Sequence, residues 1–259
     1  MNTAHIISGI HNYCDSWCAR CAFIDRCTLG VIEQKRWAKG ADWDPEDFFE
    51  ELEKMYPLHE EHMAQWLEET GLDIDDIDPD DLPAPDLKTQ QLEAEMRERG
   101  SQYYLPLRDF FKTNHDALKA RGIDLMSERD PYEGRDAHER SALAEAVQVI
   151  QWYQYLMFVK ANRAISGLED MDDNEIWGSR HQSDANGSAK VAMIGAERSL
   201  GAWEMLRRHW PEKQPEALGF MRQVNGFRHR MEQIFPDWQK FVRPGFDTEK
   251  PHALTFGEN

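Results

Sequence analysis

Long apolar runs are scarce in this sequence of 259 residues. The most apolar stretch, Val147 to Val159, is interrupted by three glutamines and is shorter than the ~20 residues that a membrane-spanning helix needs. The segment from Met1 to Tyr13 is short and mixed and contains two histidines, so we expect no export signal. We therefore expect a soluble, cytoplasmic protein with no membrane contact.

Alternating apolar and polar positions are equally scarce, which argues against a β-sheet. The sequence also lacks a glycine-rich phosphate loop, a G-x-S-x-G elbow and a dinucleotide-binding fingerprint. None of the predicted long helices carries the Glu-x-x-His motif of ferritin-like di-metal proteins. These absences argue against several common enzyme classes and leave a helical protein as the expectation.

Basic residues are few relative to acidic ones, and the net charge is −18. The imbalance is concentrated between Ala41 and Asp86, where 18 acidic residues accompany one basic residue, Lys54, while the rest of the chain is nearly neutral. No basic stripe is present, so we expect no nucleic-acid binding. The acidic segment is interpreted either as a solvated surface or as a docking face for a basic or redox protein partner.

Cysteine is rare, yet all four cysteines fall within fourteen residues as C-x3-C-x2-C-x5-C: Cys14, Cys18, Cys21 and Cys27. A cytoplasmic protein keeps its thiols reduced, so this clustering predicts a metal site rather than a disulfide framework. Both zinc and iron–sulfur clusters accept four cysteine ligands. Structural zinc sites more often use two separated cysteine pairs, so one compact loop favours a [4Fe–4S] cluster. Zinc and reduced or redox-active thiols remain the alternatives.

Parts of this spacing resemble known cluster loops. The last three cysteines, from Cys18 to Cys27, resemble the end of the loop in endonuclease III-type DNA glycosylases, where the first gap is six residues rather than three. The first three, from Cys14 to Cys21, match the radical S-adenosylmethionine spacing. In those enzymes one iron has no cysteine ligand and binds the cofactor, whereas here Cys27 could bind that iron. As a whole, the chain resembles uncharacterised bacterial helical proteins with the same N-terminal four-cysteine loop, and that resemblance implies no particular activity.

The helical signals predict an all-α protein with a four-helix-bundle-like core, an N-terminal metal-binding cysteine loop and two short acidic helices. The bundle helices are expected at Tyr103 to Arg121, from Asp136 to about Gly167, from near Ser183 to before Pro211, and from about Pro215 to before Pro236. We predict a cysteine module at 1–40, an acidic segment at 41–86, the bundle at 87–245 and a C-terminal tail at 246–259, all in one globular unit. Small residues in the third bundle helix predict close packing against the second.

Charged residues on the bundle helices suggest a second candidate site. Glu145, Arg163, Lys190, Glu197 and Arg198 are interpreted either as ion pairs within the bundle or as the lining of a polar pocket. The sequence thus predicts an iron–sulfur protein with a redox, electron-transfer or sensing role. A zinc-knuckle interaction protein and an enzyme with a polar site inside the bundle are the alternatives.

Overall fold

The computed structural model describes residues 6–55, 86–125, 141–171 and 178–248. These ranges contain no β-strand, and their regular structure is helical, which confirms the all-α prediction. The α-helices described are α1 (Thr28–Lys39), α2 (Pro45–Met55), α3 (Leu87–Thr113), α4 (His115–Lys119), α5 (Ala142–Ser166), α6 (Asp184–His209) and α7 (Gln214–Ile234). No helix in this part of the chain has the length and apolar character to cross a membrane.

The long helices begin where short polar side chains can cap them. The Asp86 carboxylate accepts a hydrogen bond from the Thr89 backbone N–H at the start of α3 (2.6 Å). Ser141 and Ser183 play the same part at the starts of α5 and α6. Each cap satisfies one of the backbone N–H groups that have no partner within the first turn, so these residues fix where the helices start.

The predicted boundaries of α6 and α7 are confirmed. Helix α6 stops at His209, before Pro211, and α7 has Pro215 in its first turn and ends at Ile234, before Pro236. The first bundle helix, predicted from Tyr103 to Arg121, was wrong at both ends: α3 stops at Thr113, and a separate short helix, α4, follows and ends at Lys119. Helix α3 starts at Leu87 and not at Tyr103, and it continues through Pro106. Gly100 does not interrupt it, because the glycine lets α3 approach the ring of Phe158 closely. The predicted start of α5 at Asp136 and the second acidic helix lie outside the described residues.

The four long helices pack in a ring, with contacts between α3 and α5, α5 and α6, α6 and α7, and α7 and α3. The α5–α6 contact is the most extensive, as the small residues of α6 predicted. At Gly195 an added Cβ would lie 3.0 Å from the Tyr153 ring. The glycine therefore permits the close approach of the two helices.

About half of the residues of α5 are buried, as are about half of those of α6. One apolar stripe of α5 is buried: Leu143, Val147, Ile150, Met157, Ala161 and Ile165. A second apolar stripe, formed by Val149, Trp152, Leu156 and Val159, is only half-buried, and Val159 at its end is 61% exposed. The cysteine loop covers part of this second face through Trp152, which explains why apolar residues occur there without forming part of the bundle core.

Candidate metal centre and adjoining pocket

The cysteine loop is a series of three short 3-10 helices, Ile10–Tyr13, Cys18–Arg20 and Ile24–Arg26, followed by α1. The cysteines lie at the ends of these turns. Cys14 follows the first, Cys18 and Cys21 bracket the second, and Cys27 follows the third and precedes α1. The backbone is extended at Cys14, Cys21 and Cys27, so short turns alternate with extended residues along the loop.

This path brings the four cysteines to one place. Cys14, Cys18, Cys21 and Cys27 all line a single small cavity of about 20 Å³, and no disulfide links them. Apolar side chains, among them Ile10, Ile24 and Phe246, complete the wall. The predicted sharing of one site by the four thiols therefore has a geometric counterpart in this common cavity.

Backbone amides point at two of the sulfur atoms. The Ser16 N–H donates to Cys14 Sγ (3.3 Å), and the Phe23 N–H donates to Cys21 Sγ (3.4 Å). Such hydrogen bonds stabilise negative charge on sulfur and are one of the means by which proteins tune iron–sulfur clusters. The loop thus supplies amide donors suited to thiolate ligands.

Burial favours the neutral thiol form of Cys18, Cys21 and Cys27. Burial, Glu33 and the three neighbouring cysteines raise the pKa of Cys18 to about 12. Burial likewise raises the pKa of Cys21 and of Cys27, although nearby backbone N–H groups oppose it. Deprotonation of one thiol disfavours deprotonation of the next, because the two negative charges repel each other. A bound metal would have the opposite effect, since its positive charge among the sulfurs favours the thiolate form.

Within the described ranges, no three histidine, cysteine, aspartate or glutamate side chains form a ready-made metal-binding group. The cavity holds about one water-sized sphere. A cluster of four iron and four sulfide atoms fits only if the cysteine side chains swing apart on binding.

The loop is fastened to α5 by tryptophan and lysine. Trp17 stacks on Trp152 with ring centroids 4.7 Å apart, and Trp152 Nε1 donates to the Asp15 carbonyl (2.9 Å). The buried Lys160 donates from Nζ to the Asn12 carbonyl (2.9 Å). Burial and the neighbouring Arg163 lower the pKa of Lys160, while Cys14 raises it. The amino group of Lys160 therefore lies near the cysteine site.

A second attachment joins the loop to α6. The Tyr13 ring packs against Gly187 and against Phe241, with the two ring centroids 4.5 Å apart. An added Cβ at Gly187 would lie 2.6 Å from Tyr13 Cδ1 and 2.7 Å from Phe241 Cζ. Glycine is therefore required at this position for the residue before Cys14 to reach α6.

Two charged networks connect the loop with the bundle. Arg20 forms a two-pronged ion pair with Glu145 and also donates to Gln148. The Tyr153 hydroxyl donates to Asp15 Oδ2, and Arg198 Nη1 donates both to that carboxylate and to the Tyr153 oxygen. Asp15 and Arg20 each lie one residue from a cysteine, so both networks position the cysteine loop.

These networks border a large pocket of about 870 Å³ between the loop, α5 and α6. Cys21 lines this pocket as well as the small cysteine cavity, as do Asp15 and Trp17. The pocket has the volume of a small-molecule site. A molecule bound there would lie directly beside a cysteine of the candidate metal centre.

The five charged residues predicted for a second site are not all brought together. Glu145 and Arg198 line the large pocket. Arg163 forms a two-pronged pair with Asp184 instead. Lys190 donates to the Phe241 carbonyl and to Asp247, and Glu197 is exposed on α6.

Sequence reasoning missed four polar residues around the cysteines: Asp15, Arg20, Tyr153 and Lys160. Their proximity to cysteines in the sequence could have identified the first two. Tyr153 and Lys160 lie on a long helix, and only the docking of the loop reveals their role. The expected basic or redox protein partner stays a prediction, because most of the acidic segment lies outside the described residues.

Comparison with known proteins gives no match: the chain fits no protein-family model, and no curated protein or solved structure is significantly similar to it. The residues of the candidate site are therefore the basis for any functional assignment.

Proposed function

We propose that this protein is an iron–sulfur redox protein in which Cys14, Cys18, Cys21 and Cys27 bind one [4Fe–4S] cluster. The observation that carries the proposal is the convergence of all four cysteines on one cavity whose remaining wall is mostly apolar. When bound, such a cluster supplies one-electron transfer. The loop sequence and the reducing environment expected for the thiols are consistent with a cytoplasmic location.

The surrounding residues have roles suited to this chemistry. Ile10, Ile24 and Phe246 limit the access of water to the sulfur atoms. The backbone amides of Ser16 and Phe23 stabilise negative charge on two of them. Burial and hydrogen bonding are the levers that set the potential of a cluster, so these contacts favour a redox role.

The large pocket supports redox exchange over a purely structural role. Cys21 lies on the wall that separates the pocket from the cysteine cavity. Electrons could pass between the cluster and a bound molecule over a short path through that wall. A closed structural metal site has no need of such a pocket.

Purification without oxygen tests the proposal. The wild-type protein should be brown, contain four iron and four acid-labile sulfide atoms per chain, and lose its visible absorption on reduction with dithionite. Cys18→Ser should lose most of the iron, because a hydroxyl is a poor ligand for a soft site. Ala22→Ser is the matched control: it adds a hydroxyl to the same loop at an exposed position and leaves all four thiols, so iron and colour should be retained.

A structural zinc site is the second candidate. It is favoured by the many contacts that fasten the loop to α5 and α6, which an ion could complete. It predicts a colourless protein with one zinc per chain and a loss of stability in Cys18→Ser without any redox change. That result would overturn the iron–sulfur proposal.

A further inference from the structure

The large pocket gathers positive side chains in a protein whose net charge is −18. Arg20 comes from the cysteine loop, Arg198 from α6 and Arg243 from the segment after α7. Three separate parts of the chain thus deliver a guanidinium group to one pocket of about 870 Å³. This placement is unlike the acidic character of the protein as a whole.

The carboxylates of the pocket are already engaged. Both oxygens of Glu145 accept hydrogen bonds from Arg20. One oxygen of Asp15 accepts from Tyr153 and Arg198, and the other accepts from the Trp17 backbone N–H (3.3 Å). Each of the two carboxylates is therefore paired with a guanidinium group, which makes it less able to attract a cationic ligand.

Donor capacity, in contrast, is left over. Arg198 uses only Nη1 for its two hydrogen bonds, and its Nε and Nη2 have no hydrogen-bond partner in the part of the chain that the structure describes. Arg243 donates to Asp247 from Nε and Nη2, which leaves Nη1 without a partner among the same residues. A guanidinium carries five N–H donors in a planar fork that matches a carboxylate. The pocket thus offers N–H groups that can donate hydrogen bonds to a ligand.

The rest of the wall is apolar. Val149 of α5 and Val191 and Ile194 of α6 line it together with Phe23 and Phe246. Such a surface gains free energy by covering an apolar or aromatic body. A ligand that satisfies both parts of the pocket has an anionic end and an apolar body.

We propose that this pocket binds a small organic acid, with its carboxylate at Arg198 and its apolar body against α5 and α6. The inference goes beyond the proposed redox function and does not require the cluster. A ligand in this position would lie against Cys21, so the same pocket would place an acid substrate beside the candidate metal centre.

Three probes with the same body but different charge test the proposal by isothermal titration calorimetry on the purified full chain: phenylacetate, phenylacetamide and phenethylamine. Phenylacetate should bind at least tenfold more tightly than the neutral amide, because it adds charge-assisted hydrogen bonds. The protonated amine should bind more weakly still. Equal binding of the acid and the amide, or no binding of the acid at millimolar concentration, would overturn the proposal.

A pair of arginine variants locates the site. Arg198→Gln should weaken phenylacetate binding by about tenfold or more while changing phenylacetamide binding little. Arg208→Gln is the control, because Arg208 lies on the same helix, is exposed and pairs with Glu204. Unchanged phenylacetate affinity in Arg198→Gln contradicts the assignment. If that variant does not fold, the discrimination between acid and amide by the wild-type protein decides the question.

The outcome is separable from that of the redox proposal. Iron content and phenylacetate affinity are measured on the same preparation. Anion binding by a protein without iron would refute the cluster and leave the pocket assignment in place. A protein with four iron atoms per chain that binds the three probes equally would support the cluster and refute the pocket assignment.

Discussion

Replacing Gly187 by alanine should destabilise the protein by forcing the cysteine loop away from α6. The new methyl group would lie 2.6 Å from Tyr13 Cδ1 and 2.7 Å from Phe241 Cζ, both parts of rigid rings. Rings cannot yield as a flexible chain end does, so either the Tyr13–Phe241 contact opens or α6 shifts. Overpacking of this kind costs about 1–3 kcal/mol.

The same helix contains a matched control. Gly201 is exposed on α6, and an added Cβ there meets nothing within 4 Å. Both substitutions gain helix propensity of up to about 1 kcal/mol, because alanine favours the helix over glycine. The difference between Gly187→Ala and Gly201→Ala therefore isolates the steric cost, and we expect it to be about 1–3 kcal/mol.

Urea denaturation followed by circular dichroism measures this difference. With a slope of about 3 kcal/mol per molar urea, the midpoint of Gly187→Ala should lie about 0.3–1 M below that of Gly201→Ala. Gly201→Ala itself should be at least as stable as the wild type. Coincident midpoints for the two variants, or a higher midpoint for Gly187→Ala, would refute the tight packing of Tyr13 on α6.

Two further predictions concern the bundle and its C-terminal attachment. Tyr103→Phe should lower the stability by about 1–3 kcal/mol, because the buried Trp203 Nε1 donates to the Tyr103 hydroxyl (3.0 Å) and would lose its partner. Thermal denaturation should show a melting temperature lower by about 2–12 °C. Asp247→Asn should lower the stability at neutral pH by about 1–2 kcal/mol, because Asp247 accepts from both Arg243 and Lys190. Burial alone would raise the pKa of Asp247, yet these hydrogen bonds lower it to about 2, so its contribution is complete above about pH 4 and is lost as the pH falls through about 2.

Each of these predictions has a control. Tyr155→Phe removes a hydroxyl from a residue of α5 that is 47% exposed, and it should change the stability by no more than about 0.5 kcal/mol. If Tyr103→Phe proved equally mild, the buried hydrogen bond would not be an important contribution. For Asp247→Asn, urea midpoints at several pH values should converge with those of the wild type as the solution becomes acidic. A difference that stays constant down to about pH 2 would contradict the low pKa of Asp247.

Helix boundaries could be predicted wherever local chemistry determines them. Ser183 caps α6, and the prolines at 211 and 215 separate α6 from α7, so both helices were predicted closely. The start of α3 was predicted too late in the sequence, and Gly100 is the residue whose low helix propensity disfavours a continuous helix across that point. In this protein Gly100 serves a close contact with Phe158, which belongs to another helix and is invisible to local rules.

The candidate site was likewise predicted only in part. The cysteines lie within one short segment, so their spacing alone predicted a shared site. The large pocket depends on contacts between residues more than a hundred positions apart, such as Arg20 with Glu145 and Asp15 with Arg198. Burial patterns on α5 and α6 indicate where something packs, but not that a cysteine loop brings its own charges to that face. For this reason Arg163 and Lys190 seemed to be equivalent to Arg198 in the sequence, although they pair elsewhere.

The most direct test of the central claim is native mass spectrometry of the wild-type protein kept free of oxygen throughout. The account predicts that the chain carries the added mass of one cluster of four iron and four sulfide atoms, with the four cysteine protons lost. A chain with no added mass, or with the mass of a single zinc ion, would contradict it.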